Sequence, residues 1–299
     1  MEYKFGDITV ACTHVDRIMF PDSGIEKREV LAYYHRVADL MVPELRDRPL
    51  SMERFTKSVD KGGFFQKHAQ KHYPPWIDRV EIGGKTIVEY PIANSNAALV
   101  YFANQGGVAF HIWTSRTAAP DHPDLVVFDL DPPEGKFELV REVARLLHEL
   151  LDELGLPAFL KTTGSKGLHV VVPIDGVATY PQVNELTHGI AQLLCTRYPD
   201  LVTIEFYKKD RKGRLFFDTL RNVAGATFIA PWSLRGRPGA PISAPLTWPE
   251  LEDPKLRSDG IRLRDFEARF DAHGDPWYGF RDRPGSVASA HRKLARFKK

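Results

Sequence analysis

Apolar residues recur along this chain with two different periods. Val30, Leu31, Tyr34, Val37, Ala38 and Met41 fall at helical spacing, which predicts a helix from near Ile25 to Pro43, where the backbone donor is lost. Shorter apolar runs bounded by turn residues predict strands in "LSMERF", in "RVEIGGKTIVEYPI" with a Gly83-Gly84 hairpin, and in "GVAFHIWTSR". This first part reads as mixed α+β. A second pattern then sets in: strand "DLVVFDLDP", helix "KFELVREVARLLHELLDELG", strands "PAFLKTTG" and "GLHVVVPI", helix "YPQVNELTHGIAQLLCTRYP" and strand "RLFFDTL". Its strands carry polar residues at their tips. The proline- and arginine-rich stretch 230–254 reads as an ordered loop on the surface, and "SAHRKLARFKK" as a basic helix or tail.

Composition changes this picture little. With 299 residues, 43% of them hydrophobic, the chain can bury a substantial core as one large domain or two fused lobes. Its 41 Lys+Arg against 39 Asp+Glu leave a net charge of +2, too small to mark a nucleic-acid binder except through local clusters. Cys12 and Cys195 have no CxxC partner and no apolar leader segment precedes "MEYKFGD", so a reducing, cytoplasmic setting is expected. No run approaches the roughly 20 apolar residues of a membrane span, and no membrane partner is expected.

Candidate chemistry changes it more. Asp129 and Asp131, two apart at a strand end, project to one face and repel unless a cation lies between them; a solvated strand end is the alternative. Asp218, after another apolar strand, offers the third carboxylate of a set suited to Mg²⁺ or Mn²⁺ and two-metal phosphoryl transfer. In "KTTGSKGLHVVVPI", glycines, hydroxyls and Lys166 can cradle a phosphate, or form only a glycine hairpin. The stretch fits neither the P-loop nor the dinucleotide-binding glycine pattern. His169 and His111 are either phosphate donors or structural histidines within their sheets. Phe64 and Phe65 beside Lys67, His68, Lys71 and His72 suit base stacking along a nucleic-acid strand, with two core phenylalanines as the alternative. Lys208, Lys209, Arg211, Lys212 and Arg214, and then Arg235 and Arg237, add further basic clusters.

In combination, "FHIWTSR", "GGFFQKH", "FDLDPP", "TTGSKGLHVVVP", "FFDTLRN" and "PWSLRGRPGAPISAPLTWPEL" resemble the polymerase domain of bacterial ligase D, nearly end to end. That family belongs to the archaeo-eukaryotic primase superfamily and acts in non-homologous end joining. The resemblance implies a single α+β primase-polymerase domain over 1–299. Two lobes, approximately 1–120 and 121–299, would carry mixed and antiparallel sheets flanked by helices, with the active site between them. It implies that Asp129, Asp131 and Asp218 hold two Mn²⁺ or Mg²⁺ ions. It places His111, Thr163, Ser165, Lys166, His169, Arg235 and Arg237 around the NTP or dNTP. Thr163 stands where the family commonly has serine. His14, Arg17 and Lys27 match a pocket for a DNA 5′-phosphate, with arginine where lysine is usual at position 17. Arg54, Phe64, Phe65, Lys67, Arg211 and Arg221 match template or end contacts. Partners implied are gapped, recessed or broken DNA, an ATP-dependent DNA ligase and Ku.

The expected function is therefore a template-dependent nucleotidyltransferase that fills gaps and extends 3′ ends at double-strand breaks, with a preference for ribonucleotides. Two other classes share these features. A non-catalytic DNA-end bridging module would bind 5′-phosphorylated gaps without incorporating nucleotides, and a metal-dependent nuclease would shorten DNA instead of lengthening it.

Overall fold

A computed structural model describes residues 1–83 and 86–297, in two compact units. The first comprises Met1–Trp113, Ile229–Ser243 and Ile261–Ala272; the second comprises Thr114–Phe228, Ala244–Gly260 and His273–Lys299. The division thus falls at Trp113, not near residue 120, and the first unit recruits two later segments. A hydropathy pattern read along the chain does not reveal such returns.

The first unit opens with the hairpin β1 (Glu2–Phe5) and β2 (Ile8–Ala11), then β3 (Ile18–Phe20) and β4 (Ile25–Glu26), which leads directly into α1 (Lys27–Leu45). Glu26 caps α1 in a reciprocal capping box with Glu29, so the helix starts two residues beyond Ile25. It also runs past Pro43 to Leu45. In the last turn a proline forfeits one backbone bond without breaking a following helix. Next come β5 (Leu50–Arg54), β6 (Phe64–Gln66), β7 (Arg79–Gly83), β8 (Ile87–Pro91), α2 (Asn96–Asn104) and β9 (Gly107–Trp113). The turn expected at Gly83-Gly84 lies outside the described residues, but its flanking strands pair antiparallel with Gly83 opposite Ile87. Sequence patterning did not mark α2, because "NAALVYFAN" is apolar on nearly every face; Ser95 caps it by accepting from Ala98 N at 3.1 Å. In the main sheet β5 lies between β6 and β9, with Arg54 opposite Phe64 and Ser51 opposite His111. Tyr34 of α1 seals this sheet: its hydroxyl donates to Val108 O, accepts from Leu234 N, and its ring meets Phe110 edge-on.

The second unit is built on β10 (Leu125–Asp131), α3 (Phe137–Leu154), β11 (Phe159–Thr162), β12 (Leu168–Pro173), α4 (Tyr180–Arg197), β13 (Val202–Thr203) and β14 (Leu215–Asp218). After β14 the chain passes through β15 (Thr227–Ile229), which edges the first sheet beside β9, and later adds β16 (Pro245–Leu246). The six strands lie in the order β13-β14-β10-β12-β11-β16, antiparallel except for β13 with β14. Residues 125–130 and all of β12 are buried, which explains their unbroken apolar runs: both faces of the sheet are covered. Gly155 ends α3 in the left-handed conformation (φ 74°), and Thr179 with Gln182 caps α4. Two short helices, α5 (Phe266–His273) and α6 (Val287–Leu294), follow. The expected basic C-terminal helix is α6; Lys298 and Lys299 lie outside the described residues.

One expectation fails. Most of the stretch from 230 to 246 is no surface loop, because Trp232, Ser233, Leu234, Ala240, Ile242, Ser243, Ala244 and Leu246 are all buried, while Arg237, Pro238 and residues 252–254 are exposed. Its prolines and glycines supply close-packed irregular backbone, not a solvated excursion. No helix among the described residues is long and apolar enough to cross a membrane.

Candidate active site

Three carboxylates come together at one end of the six-stranded sheet. Asp129 and Asp131 sit two apart on β10, with the fully buried Leu130 turned to the other face, and β14 sets Asp218 directly opposite Asp129. Across the other edge of β10, Asp129 faces His169 of β12. The carboxylate of Asp129 is almost wholly buried. Arg221 Nε donates to its Oδ2 at 3.1 Å, while His169 Nε2 stands 3.4 Å from Oδ1, a long contact that leaves Oδ1 without a formed hydrogen bond.

Arg221 is aimed by its neighbour. The side-chain amide of Asn222, fully buried, donates to Val127 O at 2.7 Å and accepts from Val127 N at 2.8 Å, so it pairs with β10 as one more strand residue would. This pins the 3₁₀ turn Leu220–Asn222, and Leu220 N donates to Asp218 Oδ1 at 2.7 Å. Sequence reading missed Asn222. Its only signal was a polar residue closing "FFDTLRN".

The charges follow from this packing. Burial alone would raise the Asp129 carboxyl, but His169 and Arg221 outweigh it and hold the group far below the usual carboxylate range. Asp131 is pushed up to about 6, first by burial and then by the negative charges of Asp129 and Asp218. Burial also raises Asp218. His169 is lowered to about 4 by burial and by Lys161 opposite it, so at neutral pH it is an uncharged imidazole beside an ionised Asp129.

Among the described residues, no three His, Cys, Asp or Glu side chains already stand in position to hold a metal ion. The backbone therefore brings the three aspartates together, but their carboxylates do not form a closed ligand set, and the Arg221 guanidinium supplies the counter-charge. The residues nevertheless fit a divalent cation. They are an all-oxygen set, the buried Oδ1 of Asp129 is unsatisfied, and burial with the neighbouring carboxylates raises Asp131.

The glycine-rich stretch is a hairpin between β11 and β12. Thr163 is buried in it, its hydroxyl donating to Gly167 O at 3.0 Å, meeting Ser258 Oγ at 3.0 Å and accepting from Ser165 N at 3.2 Å. In this arrangement the Thr163 hydroxyl shapes the turn, and the exposed Lys166 with half-buried Ser165 is what the turn presents. Gly167 is required by space: a Cβ there would lie 2.0 Å from Leu130 O. The hairpin is thus seated on the backbone between the two β10 aspartates.

The remaining candidates belong to the first unit, except Arg211. Phe64 and Phe65 are 49% and 65% exposed on the short strand β6, settling the choice against core phenylalanines. Arg54, opposite Phe64, donates from Nε to Gln105 O at 2.9 Å and lies under the Phe64 ring; Phe65 meets His111 edge-on at 5.3 Å. Lys67 is exposed beside them. Arg235 and Arg237 place their charges near Glu53, whose carboxyl is raised by burial and drawn back down by both arginines. Gly236 between them packs on Phe55, where a Cβ would meet the ring at 2.3 Å. Glu53 carried no sequence signal.

His14, Arg17 and Lys27 form a further cluster. His14 (φ 52°) turns the chain so that Arg17 N donates to its carbonyl; Arg17 O then accepts from Lys27 N at 2.8 Å, and Arg17 Nη1 donates to Thr56 O at 2.6 Å. Lys27 is almost fully buried, yet its Nζ donates to two neutral acceptors, Thr13 O at 2.7 Å and Asn104 Oδ1 at 2.8 Å. Burial, reinforced by Arg17, lowers this lysine to about 8. Asn104, unmarked by sequence, also accepts from Thr13 N and donates to Ala11 O, so it organises the whole hook. Both acceptors of this buried ammonium are neutral oxygens, so neither cancels its charge.

Comparison with known proteins identifies the family. Residues 26–277 match the family model of the LigD primase-polymerase domain. The multifunctional non-homologous end joining DNA repair protein LigD of Mycobacterium tuberculosis H37Rv is 36% identical over 258 residues, covering 83% of this chain and 34% of that protein. LigD of Pseudomonas aeruginosa is 33% identical over 291 residues, covering 95% and 34%. The chain thus spans about a third of the length of the curated relatives it matches. Among solved structures, the polymerase domain of Mycobacterium tuberculosis ligase D in complex with DNA superposes with a TM-score of 0.87 at 33% identity, covering 92% of this chain and 99% of that one. The α+β architecture inferred from the resemblance is that of this match, and the chain belongs to the LigD primase-polymerase domain family of nucleotidyltransferases.

Proposed function

We propose that this chain is a template-directed repair polymerase that fills short gaps and extends 3′ ends at double-strand breaks, with ribonucleotides preferred. The observation that carries this reading is the cross-strand pair Asp129–Asp218 with Asp131 beside it. Three mutually repelling carboxylates at a sheet end are poor structural residues and good cation ligands. Divalent ions held by Asp129, Asp131 and Asp218 would lower the pKa of the attacking 3′-hydroxyl and neutralise the departing pyrophosphate. The chain's own residues supply the rest. Lys166 and Ser165 offer donors to phosphate oxygens. Arg221 balances the charge of Asp129, and the raised carboxyl of Asp131 would make proton and cation compete for it near pH 6. The DNA-bound relative supports a DNA substrate, and the uncancelled charge of Lys27 in the hook supports recognition of a 5′-phosphate. A ligase and Ku are the partners this role implies.

A 5′-labelled gapped duplex incubated with Mn²⁺ and each NTP or dNTP tests the reading directly. Labelled strands lengthened in a template-dependent way are expected. Shortened strands would establish a nuclease instead, and binding without any change in length would establish an end-bridging module.

A further inference from the structure

The loop joining β13 to β14 carries a pair of aromatics for which neither the fold nor the proposed metal site has a use. Phe206 and Tyr207 are 62% and 66% exposed and meet edge-on at 5.5 Å. Isolated exposed aromatics need no explanation, but these two lie on a loop that is stapled in place. Arg211 donates from Nε to Glu205 O at 3.1 Å and from Nη2 to Phe206 O at 2.8 Å, with its guanidinium 3.8 Å over the buried Phe216 ring. Arg214 donates to Arg211 O at 2.9 Å, to Asp210 O at 3.2 Å and to Pro199 O at 3.3 Å. Two guanidiniums are thus committed to holding the backbone, while Phe206 meets the Phe216 ring edge-on at 6.5 Å and both aromatics keep most of their surface in water.

The surroundings identify what such a platform takes. Between positions 205 and 214 the chain carries Lys208, Lys209, Arg211, Lys212 and Arg214 against Glu205 and Asp210, a local excess of positive charge in a nearly neutral protein. A cleft of about 220 Å³ runs from Lys208, Arg211 and Arg214 to Lys166 and Asp131 within the same unit. Aromatic faces beside cations bind unpaired nucleobases with their phosphates, and this cleft leads from Lys208 and Arg211, which follow the aromatic pair in sequence, to Asp131.

We propose that Phe206 and Tyr207 form a base-stacking platform for single-stranded nucleic acid, receiving the last bases of the strand whose 3′-hydroxyl reaches Asp131. The assignment of that strand rests on the polymerase reading above; the stacking itself does not. The platform is separate from Phe64 and Phe65, which belong to the first unit.

The test uses a 5′-fluorescein single-stranded oligonucleotide with 2-aminopurine at its 3′ end, and a second with 2-aminopurine near its 5′ end. Anisotropy and 2-aminopurine emission are measured with the wild-type protein, with F206A/Y207A, and with F206Y/Y207F, which keeps both rings. We expect F206A/Y207A to weaken single-strand binding by about tenfold, in the range found when one stacking aromatic is removed. It should also relieve the quenching of the 3′ probe, with F206Y/Y207F close to wild type and a blunt duplex bound equally by all three. Both side chains are largely in solvent, so an unchanged melting temperature should accompany these effects. Unaltered affinity and quenching in F206A/Y207A, or equal losses on the blunt duplex, would overturn the platform. Quenching relieved only for the 5′ probe would overturn the strand assignment. Extension of a gapped duplex by the wild-type protein is scored separately, so a failure of the polymerase reading is visible independently of the stacking result.

Discussion

Asp129 and Asp218 are directly opposed residues of an antiparallel strand pair, two carboxylates facing each other at the end of a buried sheet. Like charges in this relationship destabilise a sheet, and under the proposed function a bound cation would offset that cost. Asp218→Asn should therefore leave the melting temperature unchanged or raised while lowering nucleotide incorporation by roughly two to three orders of magnitude, the usual cost of removing one electrostatic stabiliser from a reacting centre. Calorimetry and single-nucleotide extension, run on the same preparation, check both halves.

At the proposed cation site, the raised carboxyl of Asp131 predicts binding that depends on pH. Its folded value of about 6 lies above its unfolded value, so its contribution to stability is full below the unfolded pKa and is lost as pH rises through about 6. Above that pH the ionised cluster repels itself until a cation enters. Mn²⁺ should accordingly raise the melting temperature at pH 7.5 and much less at pH 5. Asp131→Asn should flatten the difference. An equal Mn²⁺ effect at both pH values would show that Asp131 is not a site of competition between proton and metal.

Lys27 gives the hook its own titration. Charged below about 8 and held by neutral acceptors, it should favour a 5′-phosphorylated gap over an unphosphorylated one at pH 7 and lose that preference toward pH 9.5. Lys27→Ala should abolish the preference at every pH by removing a charge-assisted donor, a loss of about tenfold in affinity for the phosphorylated end alone. Equal weakening on both DNAs would argue that Lys27 only supports the hook.

Much of this was legible in the sequence, and the reasons are specific. The run "LVVFDLD" is a buried strand with acidic residues at its tip because covered sheets demand unbroken apolar segments, and α3 and α4 declare themselves by their period and caps. The three aspartates could be picked out by residue type, but their opposition could not. Register across β10 and β14 is a tertiary fact. Asn222, Asn104 and Glu53 were invisible for the same reason, since each is defined by a backbone or charge it meets in space. The largely buried stretch from 230 to 246 was misread because proline and arginine signal a surface only where nothing packs against them.

Gly167 offers a test of how the phosphate hairpin is positioned. A Cβ only 2.0 Å from Leu130 O leaves the β11–β12 turn no choice but to lift from β10. Gly167→Ala should cost on the order of 1–3 kcal/mol, the range for overpacking in a tight core, and should raise KM for the nucleotide by displacing Lys166. Denaturant melts and steady-state kinetics would show the two effects together.

The division of the chain into units has a consequence for its synthesis. The first unit is finished only when Ile261–Ala272 has been made, and the second only with His273–Lys299. Domains encoded contiguously can fold one after another as they leave the ribosome, but here the first unit waits for Ile261–Ala272, long after the second has begun. The nascent polypeptide must therefore hold the sheet that bears its acidic cluster unfinished until Pro245–Leu246 has been made, and a ribosome stalled before that point would display two incomplete halves rather than one folded and one pending.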